Sequence, residues 1–434
     1  MFEQFEASFV IAGISIRDEA VISTIESIRA QDTLSWECVL FLAEPPHDSE
    51  LRSVSRLSPR FRVGIGDPLN PWTQLKSELA INVTPGTQLT ANALQLILAH
   101  TDEDAALLYG DRTDNVRPDW SPIRYRHDNY FGDVWVVPKP THRRTKCVRI
   151  PAALSVGGRD SFAPIPKAVA LSTADSARTI APKTIDVIIP TAGRAAPTAS
   201  SARPMILELL ESIGTHEGVA YTVVLDVGAP PDVRQELLAR ADVQLIDFDG
   251  AFNFSAKCNL GAISSEADVL FFLNDDMICR SPDWPSEVRK ALSYKAVAAV
   301  GGLLTDNSGL VQCAGHANTP VPHLFGAGLD PSDPGNRGCL GVEREVGGLS
   351  GACLAIKRDV FLTVGGFCED LPHSYNDVDL GFKLIESGHR LLYSPGIVFF
   401  HWESASRNPV VSAEETSFLQ ERWGRHFESD RYTP

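Results

Sequence analysis

The sequence is poor in positive charge. Lys and Arg number 39 against 55 Asp and Glu, which gives a formal net charge of -16 at pH 7. Phosphate backbones and anionic lipid surfaces are bound by clustered Lys and Arg. The charge balance therefore argues against nucleic-acid partners and against simple electrostatic docking on a membrane. A local basic patch, such as Arg143, Arg144 and Lys146, stays open as a docking site.

Long apolar runs are also missing. The longest, Ala296–Leu304, is far shorter than the roughly 18 to 20 residues that cross a bilayer, so we expect no transmembrane segment. Residues 1–9 carry Glu3 and Glu6 and lack the basic start and apolar stretch of a secretory signal, so we expect a cytoplasmic protein. Peripheral association with the inner face of the membrane stays open, and so does the oligomeric state.

Spacings typical of disulfide frameworks, zinc sites and common nucleotide loops are absent. None of the eight cysteines forms a two-residue spacing, and several lie in apolar runs, so we predict reduced core thiols. No Lys follows the glycine-rich segment 347–352 at P-loop spacing, and no Gly-x-Gly-x-x-Gly motif follows a strand. These absences disfavour nucleotide hydrolases and nicotinamide-dependent enzymes.

The length of 434 residues, with 44% apolar content, suits two domains of ordinary size. A stretch rich in Pro, Ser and Ala, residues 151–182, separates two segments that begin with the same alternation of strand and helix. The tripeptide Glu-Ser-Ile occurs in the same helix of both segments, at 26–28 and 211–213, which predicts a duplicated β-α-β unit. The predicted boundaries are 1–150 for the first domain, 151–184 for a linker and 185–434 for the second domain.

Alternating strands and helices predict an α/β fold with a mainly parallel sheet, whose ligands bind beyond the carboxyl ends of the strands. In the second segment, apolar runs switch to polar loops at Thr191, at Asp226 and at residues 274–276. Residues 253–261 begin a helix whose N-terminal turn favours a diphosphate. The second segment therefore predicts a nucleotide pocket.

Two clusters carry metal-ligating side chains. Asn274, Asp275 and Asp276 stand in the place of an Asp-x-Asp motif, with Asp276 the best direct ligand and Asp275 the next. A divalent cation held by carboxylates neutralises the charge on a diphosphate leaving group. His401 follows another apolar strand and can complete a mixed nitrogen and oxygen shell for manganese. An ordinary polar turn and a satisfied buried imidazole are the alternatives.

A second acidic pair begins a predicted helix. Asp377 and Asp379 lie two residues apart at the start of a predicted helix, residues 378–387, which should end at Gly388. Asp377 can cap this helix. It can also act as the general base that takes the proton from an acceptor hydroxyl as that hydroxyl attacks the anomeric carbon of a sugar. Such a single displacement inverts the anomeric configuration.

Together these strings resemble the family 2 glycosyltransferases with the nucleotide-diphospho-sugar transferase (GT-A) fold, close to the rhamnosyltransferase-like members that build bacterial surface polysaccharides. The resemblance runs from about residue 185 to 432 and includes residues 312–315, 350–354, 376–380 and 401–407. It implies metal-dependent, inverting transfer from a nucleotide-sugar donor to a glycan or lipid-linked acceptor. The implied site has Asp377 as base, Asp275, Asp276 and His401 on Mn²⁺ or Mg²⁺, and Thr191, Asp226, Asn259, Asn274 and Asp275 at the donor.

The first segment resembles the first half of tandem members of the same family, through residues 109–111 and 118–122. Where an acidic cluster would follow the apolar helix of this segment, residues 82–87 read Asn-Val-Thr-Pro-Gly-Thr. No later pair of acid and His precedes the linker. We therefore predict a degenerate, noncatalytic GT-A-like domain. Two alternatives stay open for the whole chain: a pair of retired transferase domains that binds glycan or partner enzymes, and a nucleotidyltransferase. The latter would need a Gly-rich basic loop, where residues 191–194 offer only Gly193 and Arg194.

Overall fold

A computed structural model describes residues 5–427 and 432, apart from several internal gaps. The gaps are residues 14, 16–17, 33–34, 43–53, 55–57, 65–66, 69–70, 102–104, 113–133, 140–145, 157–178, 196–202, 320, 334–337 and 403–410. The sequence features at 118–122, at Arg143 and Arg144, and at 403–407 lie outside the described residues. The chain divides into two compact units, Met1–Ala174 and Asp175–Thr433.

The first unit holds an eight-stranded sheet and two described helices. Its elements are β1 (Ala7–Gly13), α1 (Glu19–Arg29), β2 (Trp36–Leu42), β3 (Phe61–Gly64), β4 (Leu79–Val83), β5 (Gln88–Leu89), α2 (Ala93–His100), β6 (Ala105–Arg112), β7 (Val134–Pro138) and β8 (Lys146–Val156). The strand order is β3-β2-β1-β4-β7-β6-β8-β5. Strands β1 to β4 pair in parallel, and β7 joins this parallel group to β6 through antiparallel pairs.

The second unit holds a ten-stranded sheet, and all but the last of its described helices lie between strands along the chain. Its strands are β9 (Ile185–Thr191), β10 (Val219–Asp226), β11 (Val243–Phe248), β12 (Val269–Leu273), β13 (Met277–Cys279), β14 (Val297–Thr305), β15 (Val311–Cys313), β16 (His316–Ala317), β17 (His323–Leu324), β18 (Arg344–Val346), β19 (Cys353–Lys357) and β20 (Arg390–His401). Its helices are α3 (Met205–Ile213), α4 (Pro231–Leu238), α5 (Phe254–Ser264), α6 (Trp284–Leu292), α7 (Arg358–Thr363), α8 (Asn376–Glu386) and α9 (Ala413–Trp423).

The main path of this sheet is β11-β10-β9-β12-β19-β14-β20-β13, with β15 on β14 and β18 on β20. Strands β9 to β12 are parallel, and β9 and β12 are buried along their whole length. Continuous apolar runs such as those of β9 and β12 suit strands that are covered on both faces. Strands β16 and β17 form a separate two-stranded hairpin. The predicted α/β class is confirmed, as a mixed sheet built around a parallel group.

The two sheets repeat one topology. Strands β1, β2, β3 and β4 occupy the same places in the first sheet as β9, β10, β11 and β12 in the second. The remaining strands then correspond in order: β7 to β19, β6 to β14, β8 to β20 and β5 to β13. The directions match as well, because β6 and β14 each pair in parallel with their long neighbour, while β5 and β13 pair antiparallel with it. The weak tripeptide repeat thus accompanies a duplication that is evident in the strand order.

Strand β8 extends to Val156, into the stretch 151–184 that we predict to be a linker, most of which lies outside the described residues. The described cysteines are free thiols; five of them are buried as predicted, and Cys279 and Cys368 are half-buried. The side chain of Cys147 is not among those described. Within the described ranges, no helix combines the length and the apolar character that a bilayer crossing requires.

Candidate active site

A cavity of about 290 Å³ opens beyond the carboxyl ends of β9, β10 and β12. Parallel strands present their carboxyl ends at one edge of a sheet, which is where ligands of α/β proteins bind. The predicted site residues that line the cavity are Thr191, Asp226, Asn274, Asp275, Asp276, Asp377 and His401. The structure therefore brings together all but one of the side chains predicted from the sequence.

Asp276 and His401 meet because β13 and β20 pair antiparallel with Met277 opposite His401. Nε2 of His401 lies 3.1 Å from Oδ1 of Asp276. The other ring nitrogen, Nδ1, lies 2.7 Å from Oε1 of Gln312, and Nδ2 of Asn274 lies 3.5 Å from Nε2. Both Asp276 and His401 are largely buried, so their side chains are held in place before any ligand arrives.

The pair suits a divalent cation. A carboxylate oxygen and an imidazole nitrogen that face each other across a short distance are ligands that Mn²⁺ accepts. Such cations commonly take only one or two protein ligands and complete their shell with substrate phosphates and water. Among the described residues, no group of three or more His, Cys, Asp or Glu side chains is arranged to hold a metal ion. Asp276 and His401 are thus the protein's direct candidates in this cavity.

Asp275 faces Thr191, at the end of β9. Its Oδ2 accepts a hydrogen bond of 2.5 Å from Oγ1 of Thr191, and the same hydroxyl accepts from the backbone N–H of Gly193 at 2.9 Å. Burial, and then the negative charge of Asp276, raise the pKa of Asp275 to about 7. Asp275 therefore connects Thr191, the last residue of β9, to the neighbouring Asp276 of the candidate metal site. Its role as a metal ligand stays a prediction.

The raised pKa of Asp275 predicts a pH-dependent loss of stability. Because the folded-state pKa is near 7 and the usual value is 3.8, the folded state holds this proton more tightly, so stability should fall as pH rises from about 4 to about 7. In chelator, Asp275→Asn should remove this loss, on the order of a few kcal/mol, while its amide oxygen still accepts from Thr191. Thermal unfolding of both proteins between pH 4 and pH 8 tests this. Parallel pH profiles would contradict it.

A buried Lys lines the same cavity beside Thr191. The ammonium group of Lys257 forms an ion pair with Asp226 and lies 3.4 Å from the backbone oxygen of Thr191. The rings of Phe248 and Phe252 lie 5.5 Å and 5.6 Å from the same nitrogen. Sequence reasoning missed Lys257, although a Lys in the first turn of a helix that begins at a pocket was a usable signal.

Asn259 does not line the cavity, which differs from the prediction. Its Nδ2 donates to the backbone oxygen of Phe367 at 3.0 Å, and its Oδ1 accepts from the backbone N–H of the same residue at 3.0 Å. Nδ2 also lies 3.0 Å from Oε1 of Glu369. The amide thus ties α5 to the chain that follows α7, and its groups are used in that contact.

Asp377 is fixed at the cavity wall. Helix α8 begins at Asn376, two residues earlier than predicted, after Tyr375 in the left-handed conformation (φ 60°). Oδ2 of Asp377 accepts from the backbone N–H of Gly351 at 2.8 Å, and Oδ1 accepts from its neighbour Val378 at 2.8 Å. Nε2 of His316, a buried residue that sequence reasoning missed, lies 3.9 Å from Oδ2. Its carboxylate is therefore oriented and still reaches the cavity.

Asp379 has a different environment from Asp377. It is fully buried and accepts from Nε1 of Trp423 at 2.8 Å. It also forms ion pairs with Lys383 at 3.0 Å and with Arg422 at 3.1 Å. Asp379 thus connects α8 to α9 and takes no part in the cavity lining, which leaves Asp377 as the acid of this pair that can meet a substrate.

The chain resembles several curated proteins, while no protein-family model matches it. It is 42% identical over 226 residues to the N-acetylglucosaminyl-diphospho-decaprenol L-rhamnosyltransferase of Mycobacterium tuberculosis, which covers 46% of this chain and 72% of that protein. It is 27% identical over 415 residues to the O-antigen biosynthesis protein RfbC of Myxococcus xanthus, covering 82% of this chain and 32% of RfbC. The uncharacterized protein y4gI of Sinorhizobium fredii is 31% identical over 195 residues, 42% of this chain and 21% of y4gI.

The mixed α/β sheet of the second unit, with a cavity at the ends of its parallel strands, has the architecture of the GT-A-type glycosyltransferases. Within this class the chain belongs to the rhamnosyltransferase-like members of the family 2 glycosyltransferases, because the mycobacterial relative is matched at 42% identity over 72% of its length. The chain spans about a fifth of the length of y4gI and about a third of that of RfbC.

Solved structures show a looser likeness. One is GalNAc-T7 with UDP, GalNAc and Mn²⁺, at a TM-score of 0.45 and 14% identity, covering 57% of this chain and 49% of the other. Another is the mannosyltransferase PcManGT from Pyrobaculum calidifontis with GDP-Man and Mn²⁺, at a TM-score of 0.37 and 15% identity, covering 59% and 69%. At these TM-scores nothing about the ligands of this chain follows from the likeness.

Proposed function

We propose that the second unit transfers a sugar from a nucleotide-diphosphate donor to an acceptor hydroxyl, by a metal-dependent single displacement that inverts the anomeric configuration. One observation carries the proposal. The Asp276–His401 pair, Lys257 and the oriented carboxylate of Asp377 line a single cavity at the strand ends. Such a reaction requires a cation site, a nucleotide contact and a base, and the pair, Lys257 and Asp377 can provide them in that order.

In this proposal Asp276 and His401 hold Mn²⁺ or Mg²⁺, which neutralises the charge on the departing diphosphate. Thr191, Asp226 and Lys257 bind the nucleotide end of the donor. Asp377 accepts the proton of the acceptor hydroxyl, while the backbone N–H groups of Gly351 and Val378 hold its carboxylate in the orientation for that transfer.

We also propose that the first unit is noncatalytic. The pairing of Gln88 with Val156 corresponds to that of Met277 with His401, so Val156 stands where the candidate metal-binding His would be. Residues 84–87, between β4 and β5, stand where residues 274–276 lie between β12 and β13, and none of them is acidic. Positioning of the acceptor and support of the neighbouring unit are the roles that fit a transferase-like domain without these ligands.

The names of the relatives suggest the acceptor class. One relative is named for transfer to a diphospho-decaprenol-linked sugar and another for O-antigen biosynthesis. We therefore propose a glycan or lipid-linked saccharide acceptor, in the synthesis of a bacterial surface polysaccharide. The enzyme would then work in the cytoplasm, where nucleotide sugars are supplied, and at the membrane face when the acceptor is lipid-linked.

Calorimetric titration of nucleotide diphosphates and nucleotide sugars tests the donor site. With Mn²⁺ or Mg²⁺ present, we expect one nucleotide to bind at least about tenfold more tightly than in chelator, because Asp276 and His401 would hold a cation that would neutralise charge on the diphosphate. Asp276→Asn should lose this metal-dependent gain, and Asp249→Asn, an exposed acid on the same unit, should retain it.

Equal binding with and without metal would count against the site. An absence of binding under every condition would favour the alternative of a noncatalytic scaffold for glycan or partner enzymes.

A further inference from the structure

Strand β15 carries a β-bulge beside the candidate metal site. Leu304 of β14 pairs with Cys313, but the next residue, Thr305, pairs with Val311, so Gln312 is the extra residue. A bulge leaves its extra residue outside the regular pairing and redirects its side chain, often next to an active site. Here the redirected side chain is 7% exposed and lines the cavity. The bulge therefore aims Gln312 at the site.

The amide of Gln312 contacts the ring nitrogen of His401 that is not the one facing Asp276. Its Oε1 lies 2.7 Å from Nδ1 of the ring. An amide oxygen accepts hydrogen bonds and cannot donate, so Nδ1 must be the donor. In a neutral imidazole with its hydrogen on Nδ1, the free lone pair is on Nε2. Nε2 is the atom that lies 3.1 Å from Oδ1 of Asp276 and 3.5 Å from the amide nitrogen of Asn274.

We propose that Gln312 is a positioning residue that holds His401 in the tautomer whose Nε2 binds a divalent cation together with Asp276. This inference deepens the proposed function and rests on its metal dependence. Metal-binding His residues usually donate their second N–H to a nearby acceptor, and loss of that acceptor commonly weakens metal binding by about 10- to 100-fold.

A neutral acceptor suits this particular cavity. Asp275 and Asp276 already bring two carboxyl groups to it, and the charge of Asp276 is one of the two causes that raise the pKa of Asp275. A carboxylate in the place of Gln312 would fix the ring equally well but would add a further negative charge beside them. An amide fixes the ring without that repulsion.

Two variants of Gln312 and a matched control distinguish a role in positioning the His401 ring from a role in packing alone. Gln312→Leu removes the acceptor, and Gln312→Glu keeps an acceptor oxygen within reach of Nδ1. Gln244→Leu, at an exposed position of β11, makes the same chemical change away from the cavity. All three are purified as the full chain, and circular dichroism checks their folding.

The first readout is independent of metal and of activity. Proton–nitrogen correlation spectra of ¹⁵N-histidine-labelled protein, with the His401 signals assigned by His401→Gln, show which ring nitrogen carries the hydrogen. We expect Nδ1–H in the wild type, in Gln312→Glu and in Gln244→Leu. In Gln312→Leu the hydrogen should move to Nε2, or exchange between both nitrogens, because Nδ1 has lost its acceptor and Asp276 can accept from Nε2.

The second readout is the dissociation constant of Mn²⁺ alone, from the electron paramagnetic resonance signal of the free ion. Gln312→Leu should bind about 10- to 100-fold more weakly than the wild type. Gln312→Glu should bind no more weakly, and Gln244→Leu should be unchanged. An Nδ1–H ring and wild-type Mn²⁺ affinity in Gln312→Leu would overturn the inference.

The two readouts also separate this inference from the proposed function. If the wild type binds no Mn²⁺ while the tautomer still changes in Gln312→Leu, the metal-dependent function fails and the control of the ring by Gln312 stands. Should Gln312→Leu not fold, Gln312→Glu decides the matter. Loss of Nδ1–H in that variant would overturn the role of Gln312, and its retention with Mn²⁺ affinity at or above wild type would support it.

Discussion

Asp377→Asn should reduce sugar transfer by about 10²- to 10⁴-fold, the range that general-base catalysis contributes, and leave donor binding nearly unchanged. The asparagine amide cannot take a proton from the acceptor hydroxyl, but its oxygen can still accept from Gly351 or Val378. The metal pair of Asp276 and His401 is a separate group of atoms and stays intact. The loss should therefore fall on kcat and leave the Kd of the donor within about threefold of wild type.

Steady-state transfer assays and calorimetric donor titration, both in Mn²⁺, measure these two quantities. Asp370→Asn is the matched control, because it makes the same change at an exposed position on the loop that leads to α8. Unchanged turnover in Asp377→Asn would exclude this carboxylate as the base. A parallel loss of donor affinity would instead mean that Asp377 supports the donor site.

The edge at which the site lies could be predicted from local pattern alone. Thr191, Asp226 and Asp276 each follow an apolar run that the structure shows as a buried parallel strand or its end. An abrupt change from apolar to polar residues marks the carboxyl end of such a strand, and those ends meet at one edge. The same reasoning explains why the α/β class was evident from the sequence.

Helix phase explains two of the differences between prediction and structure. Successive residues of an α-helix are about 100° apart, so residues two apart point in nearly opposite directions. Lys257 and Asn259 therefore cannot both face the cavity from α5; Lys257 does so, and Asn259 binds Phe367 instead. The same spacing separates Asp377, which faces the cavity, from Asp379, which faces α9.

Other features depend on contacts between distant parts of the chain. Gln312 reaches His401 only because a bulge interrupts the pairing of β14 with β15. Strand register of that kind is set by tertiary packing and the connecting loop, which a local pattern does not encode. The position of His316 beside Asp377 likewise joins residues that are far apart in sequence. Contacts between residues this far apart in sequence became apparent only in the folded structure.

Asp379→Ala should destabilise the docking of α9 by about 1.5 to 3 kcal/mol, because it leaves the buried indole N–H of Trp423 without its acceptor. The removed carboxylate serves the indole N–H of Trp423 and the charges of Lys383 and Arg422. Lys383 lies on α8 with Asp379, and Arg422 is 40% exposed and can turn to water, so the loss for α9 falls mainly on Trp423. Asp379→Asn keeps an acceptor for Trp423 and should cost less.

Hydrogen exchange of the amides in α9 measures this local stability. Since each 1.4 kcal/mol changes an equilibrium tenfold, protection in Asp379→Ala should fall by about 10- to 100-fold. Asp249→Ala, at an exposed position, should leave it unchanged. Glu415 on α9 accepts from the backbone N–H groups of His373 and Ser374, just before Asp377, so turnover should also decline although Asp379 is outside the cavity. Wild-type protection of α9 in Asp379→Ala would show that other contacts hold this helix and that the buried acid is not its anchor.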